Sequence, residues 1–166
     1  WLATDSPADR LGELLVEVGT GTWLLPWQSS GRPPAELPLT ASRRWDDLGP
    51  WLAAFARDRC PHITVDAGTG RPPQALVAHA DRTLLVTRPC YLALRRAVAM
   101  GVPTSGIVLV DEPGRALSAR DVEHTIGAPI HASVSIDPAV ARAVDAGLLS
   151  TRLPRLITRE LGKSAA

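Results

Sequence analysis

The chain has 166 residues, of which 45% are hydrophobic, and its formal net charge is +1 at pH 7. This length and apolar fraction predict one globular domain with a single buried core and disfavour two domains. Because the charges nearly balance, the composition demands neither a nucleic acid nor an acidic partner, although a local basic patch is compatible with it.

The cysteines and the hydropathy pattern bear on the cellular compartment. Cys60 and Cys90 stand apart, without the spacing of a zinc site or of a disulfide framework, so we expect reduced thiols and no zinc. No apolar run in the sequence approaches the length of a membrane span, and no leader opens it, which favours a cytoplasmic protein. Since the chain begins at Trp1 and not at methionine, we expect a fragment, a trimmed chain or a processed one.

The N-terminal part, residues 1–61, is rich in tryptophan, which we interpret mainly as core filling. An N-capping serine with proline at the first helical position, followed by leucines at helical spacing, predicts a helix over 7–18. Residues 22–27 are short, apolar and rich in β-formers, so they predict a strand. The Ser-, Gly- and Pro-rich residues 28–40 predict a loop, and residues 43–57 predict a second helix.

A regular alternation follows in residues 62–150, the predicted βα core. Runs rich in Ile, Leu and Val are separated by segments compatible with helices. The predicted strands cover residues 63–67, 83–87, 106–110 and 130–136, and the predicted helices cover 92–100, 118–125 and 138–149. This alternation indicates βαβ units, and the nearly continuous apolar runs are typical of a parallel sheet that is buried on both faces.

Asp66 lies between the first of these runs and a glycine-rich turn. In a parallel α/β sheet, the residue that ends a strand lies at the edge where ligands bind, so Asp66 is a candidate site residue. It can equally cap the turn that contains Gly68, because aspartate readily bonds nearby backbone N–H groups. The two interpretations are compatible.

Several motifs follow one another in the order found in a known family. The run that ends in Asp66 and Gly68 is similar to a Walker B strand with its aspartate, and residues 80–89 are similar to the strand AD-x-hhhV-x-x-P. Residues 106–111 resemble the strand that reaches toward the nucleotide base, and residues 126–147 resemble the ending lG-x-P … iP-x-D-x-x-v-x-x-A-x-x-x-G. As a set, they resemble the ParA/MinD class of P-loop ATPases, including CpaE-like and septum-site-determining relatives.

This resemblance implies a fold, cofactors and a site. Proteins of this class have an α/β fold with a mainly parallel sheet flanked by helices, of the P-loop NTPase (SIMIBI, MinD-like) type. They bind ATP and Mg²⁺, which drive dimerisation, and they act in chromosome partitioning, cell division or pilus positioning. Carried over to this chain, the resemblance places Asp66 on the metal side and Gly68, Pro89 and Asp111 at the nucleotide. The family often has Asn where this chain has Asp111, whose alternative role is a strand end that faces solvent.

The phosphate loop of the family, Walker A, is not recognisable in the chain. Such a loop needs several glycines, a lysine for the β- and γ-phosphate oxygens and a Ser or Thr on magnesium. Lys163 is the only lysine, and Ile157 stands where the first glycine of a motif ending at Lys163 would be. We therefore expect no ATP hydrolysis and no bound ATP or Mg²⁺ in this chain alone, whereas a full-length protein with an upstream loop would bind both.

Two explanations stay open. Either a preceding segment carries the loop, or the protein is a degenerate member that keeps the fold without the catalysis. Without the family's first, central strand, we expect a fragment to expose an apolar groove or edge, whereas a natural short form would fill that gap by repacking or by dimerising. The expected partner is a second copy of the chain or another protein. The alternative function is therefore a non-catalytic scaffold or interaction protein.

The C-terminal tail, residues 151–166, is basic. Four cations recur at helical spacing against leucines and an isoleucine; these are Arg152, Arg155, Arg159 and Lys163. A basic amphipathic segment can contact anionic lipid or DNA, which would place the protein at the inner face of the membrane or on the chromosome. The alternative is an ordinary terminal helix with solvated arginines.

Overall fold

In the computed structural model, the described residues are 15–25, 49–57 and 62–148. They fall into two compact units. The first unit includes the described residues up to Asp66 together with Pro73–His79, and the second comprises Ala67–Pro72 and the described residues from Ala80 onward.

The first unit contains a β-hairpin and two helical segments. Strand β1 (Val16–Gly19) pairs antiparallel with β2 (Thr22–Leu24). Gly21 lies in the turn between them with φ of 70°, a conformation that favours glycine. Residues 49–57 are helical (α1), and α2 covers Gln74–His79.

The hairpin shows that the helix predicted over 7–18 is wrong in its last turn. Residues 16–19 are extended, and Val16, Glu17 and Gly19 pair with β2. Val16 and Val18 alternate with a glutamate, which is a strand pattern, and the glycines that follow form a hairpin turn instead of ending a helix. The pairing with β2 outweighed the helical spacing of the upstream leucines, of which Leu11 and Leu14 lie outside the described residues.

Other predictions in the N-terminal part are confirmed where the structure describes them. The strand predicted over 22–27 is present as β2, and the helix predicted over 43–57 is present over residues 49–57. The loop predicted over 28–40 lies outside the described residues, and so does the basic tail.

The second unit is a parallel three-stranded sheet with helices between its strands, in the order β3–β4–β5. Its elements are β3 (Leu84–Thr87), α3 (Tyr91–Met100), β4 (Gly106–Asp111), α4 (Ala119–Ile126), β5 (Ile130–Ser135) and α5 (Pro138–Asp145). The mixed α/β architecture and the parallel sheet flanked by helices are thus confirmed. The last predicted helix is shorter than expected, since α5 ends at Asp145.

Local signals fix where the helices begin and end. Helix α4 starts with a capping box, in which the Ser118 hydroxyl accepts from the Asp121 N–H and the Asp121 carboxylate accepts from the Ser118 N–H at 2.8 Å. Helix α5 starts at a proline, after Asp137, whose carboxylate accepts from the Ala139 N–H at 2.7 Å. Gly127, with φ of 76°, ends α4.

The core of the second unit forms between β4, α3 and α4. Its buried members are Leu94 of α3, Ile107 and Leu109 of β4, Val122 of α4, and Ala128. β4 is the central strand and is mostly buried, whereas Leu84 and Val86 of β3 are 47% and 66% exposed. Burial on both faces of the sheet is therefore wrong for β3, because among the described strands it has a neighbour on one side only.

The strand predicted over 63–67 is also wrong. Residues 62–67 form neither a helix nor a strand. Ile63 and Val65 are 38% and 48% exposed, and no described strand pairs with them. β-branched residues favour a strand when they fit a pleated, half-buried surface, and among residues 15–25, 49–57 and 62–148 no strand provides one for this run. Asp66 consequently does not end a strand of the described sheets.

Candidate functional site

The carboxyl ends of β3, β4 and β5 lie on one edge of the sheet, since the three strands are parallel. Arg88 directly follows β3, Glu112 follows β4, and Asp137 lies two residues beyond β5. In open α/β sheets, ligands bind outside the carboxyl ends of the strands. This carboxyl edge is therefore the candidate site of the second unit.

One carboxylate on this edge joins two arginines. Arg88 donates from Nη1 to Oε1 of Glu112 at 2.8 Å, and Arg115 donates from Nε to Oε2 at 2.5 Å. The Glu112 side chain is 14% exposed, whereas those of Arg88 and Arg115 are 55% and 41% exposed. The carboxylate is thus the covered member of this group, which we call the arginine cluster, and the guanidinium groups are the part that faces water.

The electrostatics of the arginine cluster follow from these contacts. Hydrogen bonds from Arg88 and then Arg115 lower the pKa of Glu112, because they favour its charged form. The hydrogen bond between Arg88 and Glu112 also raises the pKa of Arg88. With two guanidinium groups and one carboxylate, the arginine cluster carries a formal charge of +1.

A thiol lies beside the arginine cluster. Cys90 is the N-cap of α3 and is free of any disulfide. The backbone N–H groups of Ala93 and then Leu92 lower the pKa of its thiol, and the charges of Arg115 and Arg88 lower it further. A helix N-terminus and nearby cations both favour a thiolate. The carboxyl edge thus stabilises negative charge near the start of α3.

The predicted site residues divide between the two units. Asp66 belongs to the first unit, and Gly68, Pro89 and Asp111 belong to the second. Pro89 and Asp111 both lie at the carboxyl edge, Asp111 as the last residue of β4, where it pairs in register with Ser135. Gly68 has φ of 68° in a turn, which explains a glycine there on conformational grounds.

The arginine cluster was not predicted from the sequence. Arg88 directly follows one predicted strand and Glu112 lies two residues beyond the next, so the parallel order of the strands was a signal that could have paired them. Arg115 lies in the connection between β4 and α4, and no pattern in the sequence indicates that it turns back onto Glu112.

The residues present fit Mg²⁺ and ATP only in part. Asp66 and Asp111 offer carboxylate oxygens, but the chain has no lysine besides Lys163 and no recognisable Walker A loop. Within residues 15–25, 49–57 and 62–148, no group of three or more His, Cys, Asp or Glu side chains is arranged to hold a metal ion. Of the helices in these same ranges, none has the length and apolar character needed to cross a membrane.

No family model matches the chain, and it matches neither a curated protein nor a solved structure. The resemblance to the ParA/MinD class rests on the sequence motifs described above.

Proposed function

We propose that this chain is a ParA/MinD-like protein with the nucleotide-binding α/β fold of that class, and that by itself it does not hydrolyse ATP. The observation that carries the proposal is the parallel β3–β4–β5 sheet, with α3 and α4 as the crossover helices. These elements follow one another in the order that the sequence resemblance implies. In this proposal, the protein acts in chromosome partitioning, cell division or pilus positioning.

The chemistry of phosphoryl transfer explains why the chain lacks activity in this proposal. Transfer of a γ-phosphoryl group depends on positioning and on neutralising charge, which a P-loop and its lysine provide. An aspartate such as Asp66 can hold Mg²⁺ or water, but it does not fix the phosphates. ATP and Mg²⁺ would therefore bind only in a protein that supplies this loop, and there they would drive dimerisation.

Partners form the second part of the proposal. A homodimer or another protein covers the apolar surface left where the family has its central strand. The basic tail, through Arg152, Arg155, Arg159 and Lys163, adds a weak contact with anionic membrane or DNA, which gives a cytoplasmic protein with a peripheral position at the inner membrane face.

Exposed apolar side chains favour a second candidate, a non-catalytic scaffold that binds a protein. On α3, Tyr91 and Leu92 are 67% and 70% exposed, and on β3 Val86 is 66% exposed. Tyr91 and Leu92 are neighbours at the start of α3, and exposed apolar side chains that lie together are typical of interaction sites. The two candidates differ in whether the full-length protein, with a P-loop upstream of this chain, binds nucleotide.

Calorimetric titration with Mg²⁺ and ATP tests the proposal. We expect only heats of dilution and no ATP-dependent dimer in sedimentation, for the wild type and for Asp66→Asn alike. Micromolar binding that Asp66→Asn weakens would show that the chain binds nucleotide without a P-loop and would overturn the proposal. Reading the gene upstream of Trp1 for a strand and a glycine-rich loop with lysine then separates a truncated ATPase from a degenerate one.

A further inference from the structure

We propose that Arg88 and Arg115 form a binding site for a phosphate group at the carboxyl edge of the β3–β4–β5 sheet. The proposed function assigns no role to either arginine, so this inference goes beyond it. The site lies wholly within the second unit.

The first argument is the arrangement of the guanidinium groups. Arg88 follows β3 and Arg115 lies beyond β4, and Glu112 holds both side chains through its two carboxylate oxygens. Arginine side chains carry much rotational freedom, and the loss of this freedom normally opposes binding. Because Glu112 already orders both guanidinium groups, part of that cost is met before a ligand arrives.

The second argument is the number of donors that remain. Each guanidinium has five N–H donors. Among the described residues, the contacts with Glu112 engage Nη1 of Arg88, and Nε and Nη2 of Arg115. Both arginines therefore keep N–H groups that the contacts with Glu112 do not engage, and both side chains are more exposed than that of Glu112.

The third argument is charge. Glu112 compensates one of the two arginines, which leaves one positive charge at a sheet edge where the first turn of α3 also favours anions. Like charges held together repel, and a bound anion relieves that repulsion. The Cys90 thiol, at the start of the same helix, already benefits from this positive environment.

Charge and the number of acceptors favour a phosphate group over a carboxylate. A phosphate group carries a charge of about −1.5 to −2 at pH 7 and three strong acceptor oxygens, whereas a carboxylate carries a single charge and two oxygens. The guanidinium groups of Arg88 and Arg115 can each bind a separate phosphate oxygen. The shared chemistry is that of inorganic phosphate and of a phosphomonoester, and the experiment distinguishes these two sources.

The test is a titration of the ¹⁵N-labelled full chain, followed by NMR at constant ionic strength. Inorganic phosphate, glycerol 3-phosphate and acetate are added in separate arms. We expect saturable shifts of the Leu92 and Ala93 amides and of the Arg88 and Arg115 Nε–H signals with one or both phosphates, and no saturation with acetate. Saturation by inorganic phosphate alone identifies the free ion as the ligand, and tighter binding of glycerol 3-phosphate identifies an ester.

Variants establish which residues bind. Arg88→Gln and Arg115→Gln should each raise the phosphate dissociation constant about tenfold, as expected for the loss of a charge-assisted hydrogen bond. Arg88→Lys keeps the positive charge but loses the planar, forked set of N–H donors. It should weaken phosphate binding less than Arg88→Gln does. The control is Arg96→Gln, an exposed arginine in the middle of α3, which should leave the constant unchanged.

Two results would overturn the inference. One is a response to both phosphates that acetate reproduces, and the other is equal binding by wild type and both Gln variants when circular dichroism shows that all are folded. Neither result bears on the absence of ATP binding, which the calorimetric experiment measures separately.

Discussion

The imidazole of His131, on β5, occupies the space that a side chain at Gly106, on β4, would need. A Cβ built at Gly106 would lie 1.8 Å from Cδ2 of His131. The pairing of the two strands shifts at this point, since Ile107 pairs with Ile130 and Val108 pairs with Ala132, so His131 is the extra residue of a bulge. The glycine accommodates the ring of the bulged residue.

The first prediction concerns this contact. Gly106→Ala should lower the free energy of unfolding by about 0.5–1.5 kcal/mol, because the new methyl group forces the exposed imidazole of His131 out of its present rotamer. Urea unfolding followed by circular dichroism measures the change. The double variant Gly106→Ala with His131→Ala should recover most of the loss. An equal loss in the single and double variants would show that the imidazole is not the obstacle.

The second prediction concerns the start of α4. Ser118→Ala removes the hydroxyl that accepts from the Asp121 N–H, and it should cost about 1 kcal/mol of stability, as the loss of an N-cap usually does. Ser118→Thr keeps the hydroxyl and should cost much less. If the alanine and threonine variants unfold at the same urea concentration, the Ser118 hydroxyl does not stabilise α4.

The third prediction concerns pH. Because Arg88 and Arg115 favour the Glu112 carboxylate, its folded-state pKa lies below the ordinary value of 4.5. The contacts therefore stabilise the fold fully above pH 4.5, and the contribution declines as the pH falls and is lost below the folded-state pKa.

Comparison of the wild type with Glu112→Gln by urea unfolding tests this dependence. At neutral pH the variant should be less stable than the wild type. The difference between them should shrink as the pH is lowered through the range below 4.5. A difference that stays constant over the whole range would mean that ionisation of Glu112 contributes nothing to stability.

The sequence predicted the second unit better than the first, for physical reasons. The strands of the β3–β4–β5 sheet are apolar runs bounded by prolines, glycines and capping residues, so local chemistry and tertiary packing agree there. The run 63–67 has the same composition but no described partner strand, and composition alone does not reveal whether a partner exists. β1 was predicted as the end of a helix because the helical spacing of the upstream leucines continues to Val18. The pairing of β1 with β2 is a tertiary contact that this spacing does not reveal.

The candidate site was predictable only at the level of the sheet edge. The resemblance implied site roles for Asp111 and Pro89, and in the structure both lie at that edge, since parallel strands align their carboxyl ends. The contact between Glu112 and Arg115 depends on how the connection after β4 folds back, and the sequence holds no periodic signal for such a turn.

Within the described sheet of the second unit, every pairing joins distant parts of the chain. Leu84 pairs with Gly106, and Val108 pairs with Ala132, so a whole helix separates each strand from its neighbour. Closing such long connections precedes any ladder hydrogen bond, which slows folding relative to a hairpin. During synthesis, β3 therefore has no partner in this sheet until β4 has left the ribosome, and its apolar residues are open to chaperones during that interval.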